Sequence, residues 1–138
     1  MIDKFNGIFY LIVFLVHFIG MGAYVLQLTT GTKKFTKRFG IDKSAFLIVR
    51  MLGAVFFAWI LMAIYIMFVR PNGVDGTWGF FTLLFITHVL VFLSNFYSYK
   101  IDKTGISKKV TNEVIFAPLF FAVLSALMCY GLSDKIYM

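Results

Sequence analysis

The sequence predicts an all-α integral membrane protein, a four-transmembrane-helix up-down-up-down bundle. Three observations predict it. Residues 5–32, 51–69, 76–99 and 114–133 contain no Asp, Glu, Lys or Arg, and each run is close to or beyond the roughly 20 residues with which a helix crosses a bilayer. The chain is 61% hydrophobic and 14% charged, where a soluble domain is nearer about half and about a quarter. The connections between the runs are short, which makes successive helices antiparallel neighbours. In 138 residues almost nothing remains for a soluble domain, so residues 1–138 form a single membrane domain.

Only helices and closed barrels satisfy every backbone group in lipid, and barrel strands alternate polar with apolar residues. These runs are apolar throughout, so helices are expected over about residues 6–30, 45–69, 76–99 and 112–132. The first span starts with an Asp3-Lys4 pair, is long, and lacks an A-x-A-like site, so it reads as a retained helix rather than a cleaved signal peptide. The stretch TTGTKKFTKRFGIDKS breaks the first two spans, with Asp42 or Ser44 as the expected N-cap of the second. Arg70-Pro71-Asn72-Gly73 predicts a turn before the third span. The fourth begins at Thr111 or Asn112, and Pro118 falls near its start, where proline is tolerated.

Positive charge orients the chain. Lys33, Lys34, Lys37, Arg38, Lys43 and Arg50 lie in or beside the first connection, and Lys100, Lys103, Lys108 and Lys109 in the third. The second connection sets only Arg70 against Asp75, and each terminus pairs one acid with one base. By the positive-inside rule, loops 31–44 and 100–112 are cytoplasmic and both termini outside, in an inner or cytoplasmic type of membrane. The net charge of +7 is then a matter of topology and anionic lipid contact, and nucleic acid is not an expected partner. The expected partners are the bilayer and other membrane subunits, or further copies of the chain. Cys129 is the single cysteine, so no internal disulfide and no CxxC site exists.

The two halves share one plan of span, basic loop, span. A shift of 71 residues lays Phe9 on Phe80, His17 on His88, Lys37-Arg38 on Lys108-Lys109 and Asp42 on Glu113. Either a duplicated hairpin or two independent hairpins obeying one charge rule gives this pattern. His17 and His88 are the only histidines. At helical spacing His17 shares its face with Tyr10, Phe14, Gly20, Met21, Tyr24 and Gln27, and His88 with Phe85, Asn95 and Tyr99. Polar faces of this kind point into a bundle or toward a partner, and ionisable residues within spans mark function. Spans one and three run the same way, so the two imidazoles are expected at one depth. Ala54, Ala58, Ala122 and Ala126 form small-xxx-small pairs on the other two helices, which read as packing.

These faces support several readings. A b-type haem held by His17 and His88 as ligands to its iron is one, since two imidazoles on facing helices supply the axial nitrogens. Gly20 gives a flat ring room against the first helix, Tyr24 and Asn95 border it, and Arg50 pairs with a propionate unless it snorkels to the surface. In general plan this resembles membrane cytochrome b subunits, in which histidines of separate helices clamp haem. A second reading makes the chain a subunit or accessory of a membrane redox or respiratory-type assembly, its histidines meeting a partner or a quinone. A third is a small transporter or channel-like protein moving a proton, metal or small solute along the same face, with Met21 one turn after His17 as a soft ligand. The plain alternative is hydrogen bonding of the histidines to each other, Tyr24, Asn95 or Tyr99. All six acids lie in loops or at helix ends, and no nucleophile-base pair or phosphate loop is present, which argues against hydrolytic and transferase chemistry.

Overall fold

A computed structural model describes residues 2–138. The described chain is helical and has no strand. Helix α1 runs Ile8–Leu28, α2 Thr32–Phe39, α3 Phe46–Ile64, α4 Trp78–Phe96, α5 Glu113–Gly131 and α6 Ser133–Ile136. A 3₁₀ turn, Lys43–Ala45, leads into α3, and π-helical turns at Tyr65–Val69 and Tyr97–Ile101 extend α3 and α4. Four helical segments, Ile8–Leu28, Lys43–Val69, Trp78–Ile101 and Glu113–Gly131, are long and apolar enough to cross a membrane.

Local chemistry sets the boundaries. Asp42 is the cap before α3: its carboxylate accepts from the Ser44 backbone N–H at 2.8 Å, a bond that holds the carboxyl below the usual carboxylate range. Neither Thr111 nor Asn112 makes a side-chain cap on α5. The first connection contains a feature that its charge run obscured, the two-turn helix α2. It buries Thr32, Thr36 and Phe39 and directs its lysines outward. Gly40, left-handed at φ 66°, ends it. The third connection, over residues 102–112, forms no helix.

The packing is not that of four equivalent neighbours. Helices α4 and α5 lie together over much of their length, and α1 packs on both α3 and α5, while α3 and α4 make no comparable approach. One end of the assembly joins the N-terminal turn, the 70–77 loop and α6. There Lys4 Nζ donates to the Arg70 carbonyl at 3.2 Å, Lys135 Nζ to the Asp3 carbonyl at 2.5 Å, and the Gly76 N–H to the Lys135 carbonyl at 2.9 Å. At the other end α2 meets the start of α5 through the Arg38–Glu113 ion pair. Phe5, Phe14, Phe81, Ile66 and Met128 form the core between.

Pro118 explains the closest pair of helices. Lacking an N–H, it leaves the Val114 carbonyl without its intrahelical donor, a costly gap away from water. Asn95 of α4 fills it, its Nδ2 donating to Val114 O at 2.8 Å. Close approach matters equally between α1 and α3. A Cβ on Gly53 would lie 2.7 Å from Thr29 Cγ2 and 3.0 Å from Leu28 Cβ, so glycine here admits the neighbouring helix.

Two outcomes follow for thermal unfolding in detergent. Asn95→Leu loses about 1–3 kcal/mol, and Pro118→Ala introduced beside it restores most of that loss, because alanine brings back the missing N–H; additive effects of the two changes would refute the link. Gly53→Ala destabilises by about 1–3 kcal/mol through overpacking, the opposite sign to its gain of about 1 kcal/mol in helix propensity.

Candidate functional site

The two histidines meet. Their rings lie 5.1 Å apart between centroids, edge to face at 85°. His17 is wholly buried on the inner face of α1, between Phe14, Phe18 and Met21, which recur at helical spacing and are themselves buried. His88 occupies the corresponding inner face of α4 with Phe81 and Leu84. The ring of Phe121, from α5, lies against both, 5.3 Å from His17 and stacked on His88 at 5.5 Å. Trp59 of α3 stands edge-on to His88 at 6.1 Å. All four membrane-length helices thus contribute a ring.

The two imidazoles differ in hydrogen bonding. His88 Nδ1 lies 2.8 Å from the Leu84 carbonyl, one turn back on its own helix. A carbonyl only accepts, so this nitrogen carries the proton and Nε2 presents a lone pair. His17 has neither: Nδ1 and Nε2 are both buried without a partner. A neutral imidazole carries one donor and one acceptor, and an unpaired buried polar group costs about 1–3 kcal/mol. His17 is the only described residue with buried side-chain nitrogen or oxygen atoms in this condition.

Above the pair is a cavity of about 350 Å³. Its lining runs from Met21, Phe56, His88 and Phe121 to the end carrying the basic loops, where Tyr99, Ser107 and Glu113 border it. The walls are chiefly apolar, and the hollow lies where α3 and α4 fail to close on each other. At the mouth Glu113 Oε1 accepts from Tyr24 Oη at 3.0 Å, and its other oxygen pairs with Arg38. This three-residue network had only two signals in the sequence, the basic run around Arg38 and the isolated acid at the start of the fourth span.

The remaining sequence candidates separate. Tyr24 borders the cavity but engages Glu113, not a histidine. Asn95 also lines it, with its amide committed to Val114. Gly20 does receive a flat ring, that of Phe121: a Cβ there would lie 3.0 Å from two of its carbons. Arg50 is exposed on α3 and absent from the cavity lining. Neither histidine bonds to the other, to Tyr24, to Asn95 or to Tyr99.

The two imidazoles meet without a third His, Cys, Asp or Glu, and among the described residues no group of three such side chains stands together; their spacing does not suit a macrocycle. An iron between two axial imidazoles places their ring centroids roughly 6 Å apart, because each metal–nitrogen bond takes about 2 Å. The observed separation is 5.1 Å, and Phe121 occupies the adjoining space. A porphyrin between these rings requires the helices to part and Phe121 to leave.

Replacing His17 measures its isolation directly. In metal-free protein His17→Leu raises stability, by about 1–3 kcal/mol, since no partner is stranded by the change; a lower melting temperature would mean that His17 has a partner. No protein-family model, curated protein or solved structure matches this chain.

Proposed function

We propose that this chain is a small integral membrane subunit or accessory of a redox or respiratory-type assembly, and that His17 and His88 hold a redox-active metal centre within the membrane. The observation that carries this reading is the wholly buried His17 ring without a hydrogen bond, set beside an imidazole whose Nδ1–H is anchored to a backbone carbonyl. Metal-ligating histidines have that second feature: the distal N–H is tied to a carbonyl or carboxylate, which fixes the tautomer and directs the other nitrogen at the metal. Haem b is the form of centre that the paired histidines first suggest; it asks for a wider separation than the packed rings have.

The proposed topology is up-down-up-down, with the basic loops 31–44 and 100–112 cytoplasmic and both termini outside. Two groupings support it: the N-terminal turn, the 70–77 loop and α6 are joined at one end, and α2 and the start of α5 at the other. The charge asymmetry of those loops supplies the orientation.

Transport of a proton, metal or small solute is the second reading, favoured by the cavity that reaches His88 from the basic-loop end. A flux into proteoliposomes that His88→Leu abolishes would establish it over the first.

Protein purified from its native membrane in mild detergent is expected to carry transition metal or haem near one equivalent per chain, by elemental analysis and by oxidised and reduced absorption spectra. A His17→Leu/His88→Leu variant is expected to carry neither. Native electrophoresis should place the wild-type chain in a larger complex. A metal-free and haem-free wild type ends the metal-centre reading, and a stable lone protein ends the assembly reading.

A further inference from the structure

We propose that His17, His88 and Met21 form a copper(I) site, with Met21 and His88 lining the cavity and His17 buried behind them rather than in its lining, an inference that rests on the metal-centre reading above and specifies its occupant. Three observations converge on these residues. His17 offers unengaged ring nitrogens in a fully buried position. His88 touches it and has Nε2 free. Met21 is one helical turn beyond His17 on the same buried face, 2% exposed, and lines the cavity together with His88. Residues four apart on a helix are surface neighbours, so the thioether and the His17 imidazole share one small region.

The ring spacing selects the geometry. Two imidazoles bound to one metal at a near-tetrahedral angle, with metal–nitrogen bonds of about 2 Å, have ring centroids about 5 Å apart. The measured 5.1 Å is compatible with that arrangement, as well as with ordinary edge-to-face ring packing, and falls short of the trans arrangement of a haem.

Charge selects the metal. All three donors are neutral, and the acids of the chain are at the helix ends and loops, Glu113 at the cavity mouth being engaged with Arg38 and Tyr24. The cost of burying an ion rises with the square of its charge, so a site without a carboxylate favours a monovalent cation over a divalent one. A thioether beside imidazole favours a soft ion. Copper(I) is both soft and monovalent. The cavity extends from Glu113 and Tyr24 to Met21 and His88.

Copper(I) alone is the probe, titrated anaerobically into detergent-purified protein against bicinchoninate as a competing chromogenic chelator. The wild type is expected to take one equivalent. His17→Leu and His88→Leu should each weaken binding by more than about tenfold, the loss that even an outer-shell partner carries. Met21→Leu, a volume-conserving change, should weaken copper(I) binding while leaving weak zinc(II) binding unchanged. Copper K-edge absorption of the loaded wild type should show nitrogen and sulfur scatterers, the sulfur lost in Met21→Leu. With the fold of His17→Leu verified by tryptophan fluorescence and melting temperature, its loss of copper reports the ligand. Equal copper uptake by wild type and His17→Leu overturns the proposal, as does an unchanged affinity in Met21→Leu. Haem in the native protein with no copper(I) uptake overturns this proposal and leaves the metal-centre reading standing; neither haem nor metal overturns both.

Discussion

The satisfaction of polar groups away from water organises this molecule. In hydrocarbon a backbone carbonyl or side-chain amide has no solvent to turn to, so each must find its partner within the protein. The Pro118 interruption shows the consequence. Proline within α5 orphans Val114, Asn95 reaches from α4 to supply the donor, and these two helices form the closest pair in the structure. The smaller polar side chains follow the same rule locally. Thr29, Thr32 and Thr36 return their hydroxyls to carbonyls four residues back, and Ser125 bonds both Phe121 and Ala122. His88 does likewise with Leu84.

Against that background His17 is conspicuous. Simple packing would be served by any apolar side chain of similar volume, without the penalty of two unpaired ring atoms. The surrounding rings of Phe18, His88 and Phe121 hold the imidazole in place but give it nothing to bond. A side chain that every neighbour orients and none satisfies is suited to a ligand, and the neutral donors nearby restrict which ligand has a low cost of burial. The site chemistry therefore follows from an exception to the rule that builds the rest of the fold.

Much of the architecture was legible in the sequence because spans are a property of composition and length. The four expected spans correspond to the four membrane-length helices to within a few residues, and Asp42 was visible as a cap. The histidine pairing was also legible, since one face of α1 collected nearly all its polar residues and His88 shared its face with Asn95 and Tyr99. The roles within those faces were not. Asn95 shares the His88 stripe yet serves Pro118, a relation fixed by how α4 and α5 are rotated and staggered. Gly20 accommodates a ring, but the ring is Phe121, which lies in a uniformly apolar stretch of α5 with no motif to announce it. Helix α2 was hidden because its basic residues dominate a sequence whose buried face is only Thr32, Thr36 and Phe39.

The unequal packing of the helices connects fold to site. Glycine at 53 draws α3 against α1, and Asn95 draws α4 against α5. Each tight pair uses up its own contacts, and α1 on α5 joins the two pairs. Nothing comparable joins α3 to α4, and the hollow left between them is the cavity that descends to His88. Had all four helices packed alike, His88 would be sealed in a solid core as His17 is. The Arg38–Glu113–Tyr24 network sits where that hollow opens. It ties α2, α5 and α1 together at the end of the cavity away from the histidines, and the carboxylate there is consumed by Arg38 and Tyr24. No acid is left near His88, so that end of the cavity is lined by neutral groups alone, a consequence of the same rule that each polar group finds its partner within the protein.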